Sequence, residues 1–202
     1  MPKPGFFSRL GLFVDSDFIE PAMRERLLGE ARAASRIKAH VDRYGEKLLD
    51  EEHRLTSVCE VPVETRKMIY RRLLELKPAL ERHFKIELSG SEKPQFLAYR
   101  EGDYFGPHRD GKCEPGSSEE SAASRKVSVV IFLNDQAEVP EEGKYGGGSL
   151  TFYGLVDNPA WERYGFKLAG ESGTLVAFRS DTAHEVTPVT HGERFTVVNW
   201  FF

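Results

Sequence analysis

Cysteine is scarce in this chain. Its 202 residues include two, Cys59 and Cys113, too few for a disulfide framework, so a reducing cytoplasm is the expected compartment. No apolar run approaches the roughly 20 residues that a membrane-crossing helix needs. The opening MPKPGFFSRLGLF lacks the long apolar stretch and small-residue cleavage site of a signal peptide. Positive charge is not in excess either: 28 Lys and Arg face 32 Asp and Glu, a net charge of −4 with a pI near 5.9. Phosphate backbones call for a concentrated basic face, so no nucleic-acid partner is expected. Arg71 and Arg72 in MIYRRLLELK read as the outer coat of a helix. Internal repeats are absent. What remains is 40% hydrophobic and 30% charged, an ordinary soluble composition long enough to bury a core.

The composition shifts near residue 90. Before it the periodicity is helical: Ile19, Met23, Leu27, Ala31 and Ala34 recur at spacings of four and three. Asp17, three before Glu20 and followed by Pro21, reads as an N-terminal cap. A second helix starts near Val63 with Ile69, Leu73, Leu76 and Leu80 on one side, and Pro78 should kink or end it. RLTSVCEV reads as a short strand. After residue 90, PQFLAYR, KVSVVIFLN, GSLTFYG, GTLVAFR and RFTVVNWFF are short apolar or alternating runs between Gly, Pro, Asp and Ser clusters. Strands in succession with no helix between them predict an antiparallel sandwich or barrel. Two long loops, 111–125 and 135–147, hang from that frame, where binding residues concentrate.

GPHRDG places His108 and Asp110 two apart. On an extended strand such residues point to one face, giving a nitrogen and an oxygen to a common point. Alone, the pair reads equally as a surface turn. Of the other histidines, His40, His53 and His83 lie in the charged helical half and are expected on the surface, as is His191 in the turn VTHGERF. His184 closes GTLVAFRSDTAHEV after an apolar strand, where it can aim inward. Two histidines and a carboxylate are the facial set of non-haem iron(II) oxygenases. Ten residues on, Arg194 opens the last strand and shares a face with Thr196, Val198 and Trp200. A guanidinium facing an apolar interior needs an anion. It suits a carboxylate, with Thr196 adding a hydroxyl. The alternative is a strand-end arginine paired with Glu193 or Asp181. Cys113 reads as a thiol in a mobile loop.

YREGDYFGPHRD, RKVSVVIFLND, YGGGSLTFYG and GTLVAFRSDTAHEVTPVTHGERFTVVNWFF together resemble the prolyl 4-hydroxylase-like superfamily of 2-oxoglutarate- and Fe(II)-dependent dioxygenases, over residues 94 to 202. The resemblance implies an α+β, mainly β fold: a double-stranded β-helix (jelly-roll, cupin-like) core with N-terminal helices packed on one sheet. Residues 1–90 would be a helical support region of the same domain and residues 91–202 the catalytic core. It implies that His108, Asp110 and His184 hold Fe(II), with O2 as oxidant and ascorbate as an accessory. Arg194 would bind the distal carboxylate of 2-oxoglutarate, and Tyr99 would either touch that co-substrate or pack as a core aromatic. Animal oxygen-sensing prolyl hydroxylases carry a tyrosine where Phe132 stands and use its hydroxyl on that carboxylate, so Thr196 is the expected substitute. Collagen-type enzymes carry lysine where Arg194 stands.

Val130, Phe132 and Trp200 would wall the site. A peptidyl, prolyl-type substrate is expected at the two loops, with Lys144 and Tyr145 where a peptide could pack. The alternatives are a free amino acid or other small molecule, then a nucleobase. A non-catalytic metal-binding or cupin-like module is the reading from a different class, and a surface HRD on an interaction module is a third. Gly106 and Gly111 are expected to let the strand open into its loop, with Arg109 pointing away.

Overall fold

The structure, a computed structural model, describes residues 4–39, 41–43, 46–48, 53–111, 124–156, 158 and 164–202. His40, Cys113 and nearly all of the 111–125 loop lie outside the described residues. The first half holds α1 (Pro4–Arg9), β1 (Phe13–Asp15), α2 (Pro21–Ala33), β2 (Arg36–Lys38), β3 (Val41–Arg43), β4 (Glu46–Leu48), β5 (Arg54–Leu55), β6 (Ser57–Cys59) and α3 (Val63–Phe84). Strands follow: β7 (Gln95–Tyr99), β8 (Tyr104–His108), β9 (Val127–Phe132), β10 (Gly146–Gly147), β11 (Leu150–Phe152) and β12 (Phe166–Leu168). The last four are β13 (Leu175–Arg179), β14 (His184–Val186), β15 (Val189–His191) and β16 (Arg194–Phe201).

Two antiparallel sheets make the frame: a seven-stranded one ordered β1-β13-β9-β16-β7-β6-β2 and a five-stranded one ordered β12-β11-β14-β8-β5. Alternation along the large sheet sorts its side chains into two layers. Val127, Val129 and Ile131 of β9, Leu175 and Ala177 of β13, and Phe195, Val197 and Phe201 of β16 face the helices, meeting Leu27, Ile69, Leu73 and Leu80. The intervening Val130, Phe132, Val176 and Phe178 face the other sheet, meeting Leu150 and Phe152. This is the double-stranded β-helix expected from the sequence, with the helices on one sheet. β16 runs through the middle of the large sheet, so its inward parity carries Arg194 and Thr196 into the space between the sheets. Strands from before residue 90 extend both sheets: β1, β2 and β6 the large one, β5 the small one.

Three local expectations need correction. Pro78 neither ends nor bounds α3, which continues to Phe84 and stops at Lys85 in the left-handed conformation, φ 54°. Proline removes the donor to the carbonyl four residues back, but that residue, Leu74, lies on the exposed side, where solvent can replace the bond. Asp17 does not cap α2; Glu20 is the N-cap residue, makes no side-chain cap bond, and is followed by Pro21 in the first turn, where a missing amide costs nothing. Arg71 is exposed as expected, but Arg72 instead binds the Phe18 carbonyl through Nε (2.9 Å) and Nη2 (2.6 Å). No described helix is long and apolar enough to cross a membrane.

Because α3 and the large sheet share one apolar layer, Leu73→Ala should cost about 2–5 kcal/mol. Urea unfolding followed by tryptophan fluorescence and by far-UV circular dichroism should show a single, coincident transition moved to lower denaturant. Two separated transitions would mean that residues 1–90 fold apart from the sheets.

Candidate metal centre

β14 pairs with β8 so that His184 lies directly opposite His108. Opposed residues of an antiparallel pair project to the same side, and the two imidazole centroids stand 4.2 Å apart. β8 ends at His108, so Asp110 sits just past the strand in a turn rather than on it. The turn still brings its carboxylate across: Oδ1 lies 3.5 Å from His108 Nε2 and Oδ2 3.5 Å from His184 Nε2. One donor atom from each of the three residues falls within 4.8 Å of the others.

The backbone fixes which nitrogen of each ring is offered. His108 Nδ1 lies 2.8 Å from the Gly106 carbonyl and His184 Nδ1 3.0 Å from the Thr182 carbonyl. A carbonyl only accepts, so each Nδ1 carries the proton and each Nε2 turns a lone pair toward Asp110, the arrangement in which histidines bind metals. Burial pushes His184 down to about 4 against the opposing pull of the Asp110 charge, so its ring is neutral near pH 7. Burial alone would raise the Asp110 carboxyl. The His184 and His108 rings and the Ser128 hydroxyl outweigh it and hold Asp110 well below the usual carboxylate range. Phe105 stacks on His108 at 3.6 Å and 12°, and Phe178 meets His184 edge-on at 4.7 Å. Both rings are thereby locked.

Arg194 is 1% exposed. Its guanidinium lies 5.0 Å from the Tyr99 ring centroid and 5.4 Å from that of Phe132. Nη1 donates to Thr196 Oγ1 at 3.3 Å, while Nε has no partner among the described residues. Neither acid named as a possible partner reaches it. Glu193 is taken by Arg36 (2.6 Å) and Arg100 (3.3 Å), and Asp181 faces Arg179 (3.5 Å). A buried cation without a counter-ion is costly and marks a place for an anion.

Tyr145 was expected at a loop mouth, yet it is fully buried, with a hydroxyl that has no hydrogen-bond partner among the described residues. Burial raises its pKa and the nearby Arg194 opposes the rise, so hydroxyl and guanidinium are neighbours. Gly148 and Gly170 make the space: a Cβ on Gly148 would stand 2.9 Å from Arg194 Cδ, and one on Gly170 would stand 1.9 Å from the Tyr145 hydroxyl. The sequence signal was YGGGS, read as a loop end and as part of the family resemblance, with no role for the Tyr145 hydroxyl.

Other expectations shift. His53, His83 and His191 are half-buried, not surface residues. His53 packs on Phe105 (5.5 Å), His83 on Phe84 (4.6 Å), and His191 lies against Gly146, where a Cβ would come within 2.1 Å of its ring. Trp200 is half-buried beneath Arg125, 4.1 Å from its ring. Gly111 admits close packing: a Cβ would meet the Arg125 carbonyl at 2.6 Å and Ser180 Cβ at 2.8 Å, and the loop it leads into lies outside the described residues. Arg109 does point away, exposed and donating to the Asp181 carbonyl.

The 2OG-Fe(II) oxygenase superfamily model matches residues 94–202, more than half of the chain. A PKHD-type hydroxylase of Shewanella oneidensis is 34% identical over 107 residues, 53% of this chain and 41% of that one. A PKHD-type hydroxylase of Acaryochloris marina is 34% identical over 129 residues, 62% of this chain and 50% of that one. The chain thus spans half or less of the length of these relatives. Among solved structures, a Pseudomonas putida prolyl-4-hydroxylase superposes with a TM-score of 0.66 at 21% identity, covering 95% of this chain and 91% of that one. A Trichoplax adhaerens prolyl hydroxylase, solved with a hypoxia inducible factor oxygen degradation domain peptide fragment, gives 0.70 at 18%, covering 95% and 83%. At such identities these two establish the fold.

The depressed pKa of His184 sets a pH dependence. Unfolded, the ring takes a proton near 6.5; folded, only near 4, so the unfolded state binds more protons between those values. The stability it contributes is complete above about 6.5 and is lost as pH falls toward 4. Asp110 adds loss in the same direction, beginning only near its ordinary 3.8. Without added metal, the His184 contribution should be on the order of 1–3 kcal/mol by this linkage. Urea midpoints compared near pH 7 and near pH 5 should therefore change less in His184→Gln than in the parent. Equal slopes would refute the assignment.

Proposed function

The chain belongs to the 2OG-Fe(II) oxygenase superfamily, and on that premise we propose that it is a 2-oxoglutarate- and Fe(II)-dependent dioxygenase. It would couple decarboxylation of 2-oxoglutarate to succinate with hydroxylation of a substrate C–H bond. One observation carries the reading: the register that sets His184 against His108 aims two Nε2 lone pairs and the Asp110 carboxylate at one place. That donor set fits a ferrous ion, which takes two histidines and a carboxylate on one face. His108, Asp110 and His184 would hold Fe(II), and the bound iron and 2-oxoglutarate supply the activation of O2 and the oxidising power.

The chain's own residues position and shield. The Gly106 and Thr182 carbonyls keep both rings in the ligating tautomer. Arg194 and Thr196 would take the distal carboxylate of 2-oxoglutarate. The Tyr145 hydroxyl would join them, supplying from another direction what Phe132 lacks. Tyr99, under the Arg194 guanidinium, orients that cation and borders the co-substrate. Val130 and Phe132 between the sheets exclude water. Residues 91–202 are assigned as the catalytic core and residues 1–90 as support within the same domain. The substrate on this reading is a peptidyl, prolyl-type residue meeting loops 111–125 and 135–147. The peptide in the Trichoplax structure supports that choice, and a free amino acid is the second reading. Ascorbate as an accessory reductant and a cytoplasmic location complete the proposal.

Anaerobic addition of Fe(II) and 2-oxoglutarate should produce a visible charge-transfer band that His108→Ala or Asp110→Ala abolishes. Metal binding with no band would leave a metal-binding module without this chemistry. Tyr145→Phe should weaken 2-oxoglutarate binding roughly tenfold, the worth of one hydrogen bond to a charged group, as read by calorimetry on the Mn(II) form. An unchanged dissociation constant would remove Tyr145 from the co-substrate pocket.

A further inference from the structure

Arg54 carries a second guanidinium that the reaction described above does not use. It lies on β5, directly opposite Phe105 of β8, and stands over that ring at 4.6 Å. Phe105 in turn stacks on His108 at 3.6 Å. Arg54, Phe105 and His108 therefore form one continuous stack that ends at the metal-ligand set. Arg54 Nε has no solvent exposure and no hydrogen-bond partner among the described residues. Burial disfavours the charge, the field of the Asp110 carboxylate favours it and that of Arg125 opposes it. Through Phe105 the guanidinium stands one ring away from His108.

Formal charge shows what this cation lacks. In the loaded site the two positive charges of Fe(II) and the one of Arg194 are matched by the Asp110 carboxylate and the two carboxylates of 2-oxoglutarate. Among the described residues no carboxylate pairs with Arg54, which there is one positive charge in surplus, half-buried against an aromatic ring, and unmatched buried charge is costly. A single negative charge on the substrate would match it. A phosphate dianion would overshoot and set a second negative charge near Asp110. A carboxylate matches in both charge and shape, since it accepts the guanidinium fork through two oxygens.

We propose that Arg54 binds a carboxylate of the substrate and orients the molecule beside the metal by this contact; the carboxylate is that of a free amino acid, of a peptide's C-terminal residue, or of an acidic side chain neighbouring the residue oxidised. The proposal rests on the oxygenase reading.

Its test uses the full chain loaded with Mn(II), an inert stand-in for iron, and 2-oxoglutarate, titrated by calorimetry. The probes form three series: free proteinogenic amino acids, glycyl dipeptides, and N-acetyl-aspartyl and N-acetyl-glutamyl amides. Each acid is set against its carboxamide, and the series that binds identifies the source of the carboxylate. In at least one series the acid should bind about tenfold or more tighter than its amide, the worth of a charge-assisted bond. Arg54→Gln should bring the pair within about threefold, and Arg54→Lys should restore part of the difference because a cation remains. Acids that bind no better than amides to a wild type that takes up 2-oxoglutarate overturn the proposal and leave the oxygenase reading standing. So does an Arg54→Gln protein that loses 2-oxoglutarate as strongly as it loses the acid, since Arg54 would then serve the co-substrate. A wild type that takes up no 2-oxoglutarate overturns both readings together. If Arg54→Gln fails to fold, the wild-type comparison of acid with amide decides alone.

Discussion

A slip of one residue between β8 and β14 would dissolve the centre. Side chains alternate with a period of two along a strand, so His184 moved by one position would turn its imidazole to the other face of the small sheet, away from His108. Nothing in the chemistry of the three ligands enforces the register, because two neutral rings and a carboxylate attract one another weakly in the absence of a cation. It is enforced by what flanks them. Phe152 of β11 pairs with His184 on the other side and belongs to the apolar layer between the sheets, and Val186 is buried two residues further on. Slipping β14 would carry Val186 out of the core and break the strand's pairing with β11. The core thus holds the ligands in place before any ion arrives.

The same parity explains how charge tolerates this interior. β16 places Phe195 and Val197 against the helices and Arg194 and Thr196 between the sheets. Arginine at an inward position costs several kcal/mol of desolvation unless compensated. Here the compensation within the chain is partial: two aromatic faces and one threonine hydroxyl. Asn134 completes the local order, accepting from the Phe195 amide at 2.9 Å and donating to the Glu193 carbonyl at 2.8 Å, so the backbone on either side of Arg194 is pinned. The backbone is pinned there, and the Nε of the guanidinium at the start of β16 has no hydrogen-bond partner among the described residues.

The residues that the fold brings together were legible in the sequence because they are rare types at telling places: an imidazole and a carboxylate two apart, an imidazole after an apolar strand, and an arginine ten residues later. The strands were legible because five short apolar runs stood between turn residues. What stayed hidden shares one cause. Tyr145 reads as a loop aromatic until the three glycines after it are seen to let β15 and Arg194 approach, and no linear pattern encodes that approach. β1 and β14 are three residues each, too short for periodicity, and exist because a longer neighbour pairs with them. Pro78 does not end α3: a propensity argument counts the lost hydrogen bond but not the packing of Ile69, Leu73 and Leu80, which carries the helix through.

The family match begins at residue 94, and every member of the ligand set and of the Arg194 pocket falls within it. Arg54 and His53 do not. They reach the centre because the short β5 adds to the free side of β8, bringing a cation and an imidazole from the first half of the chain to the stack that ends at His108. A strand added at an edge can change its outward chemistry without disturbing the register it leans on, since only the pairing, not the side chains, is shared with β8. Residues 1–90 are therefore more than a prop for the large sheet. On the proposed reading, the shared half of the fold would supply the metal and co-substrate sites, and the lead-in strand would be free to select what is brought to them.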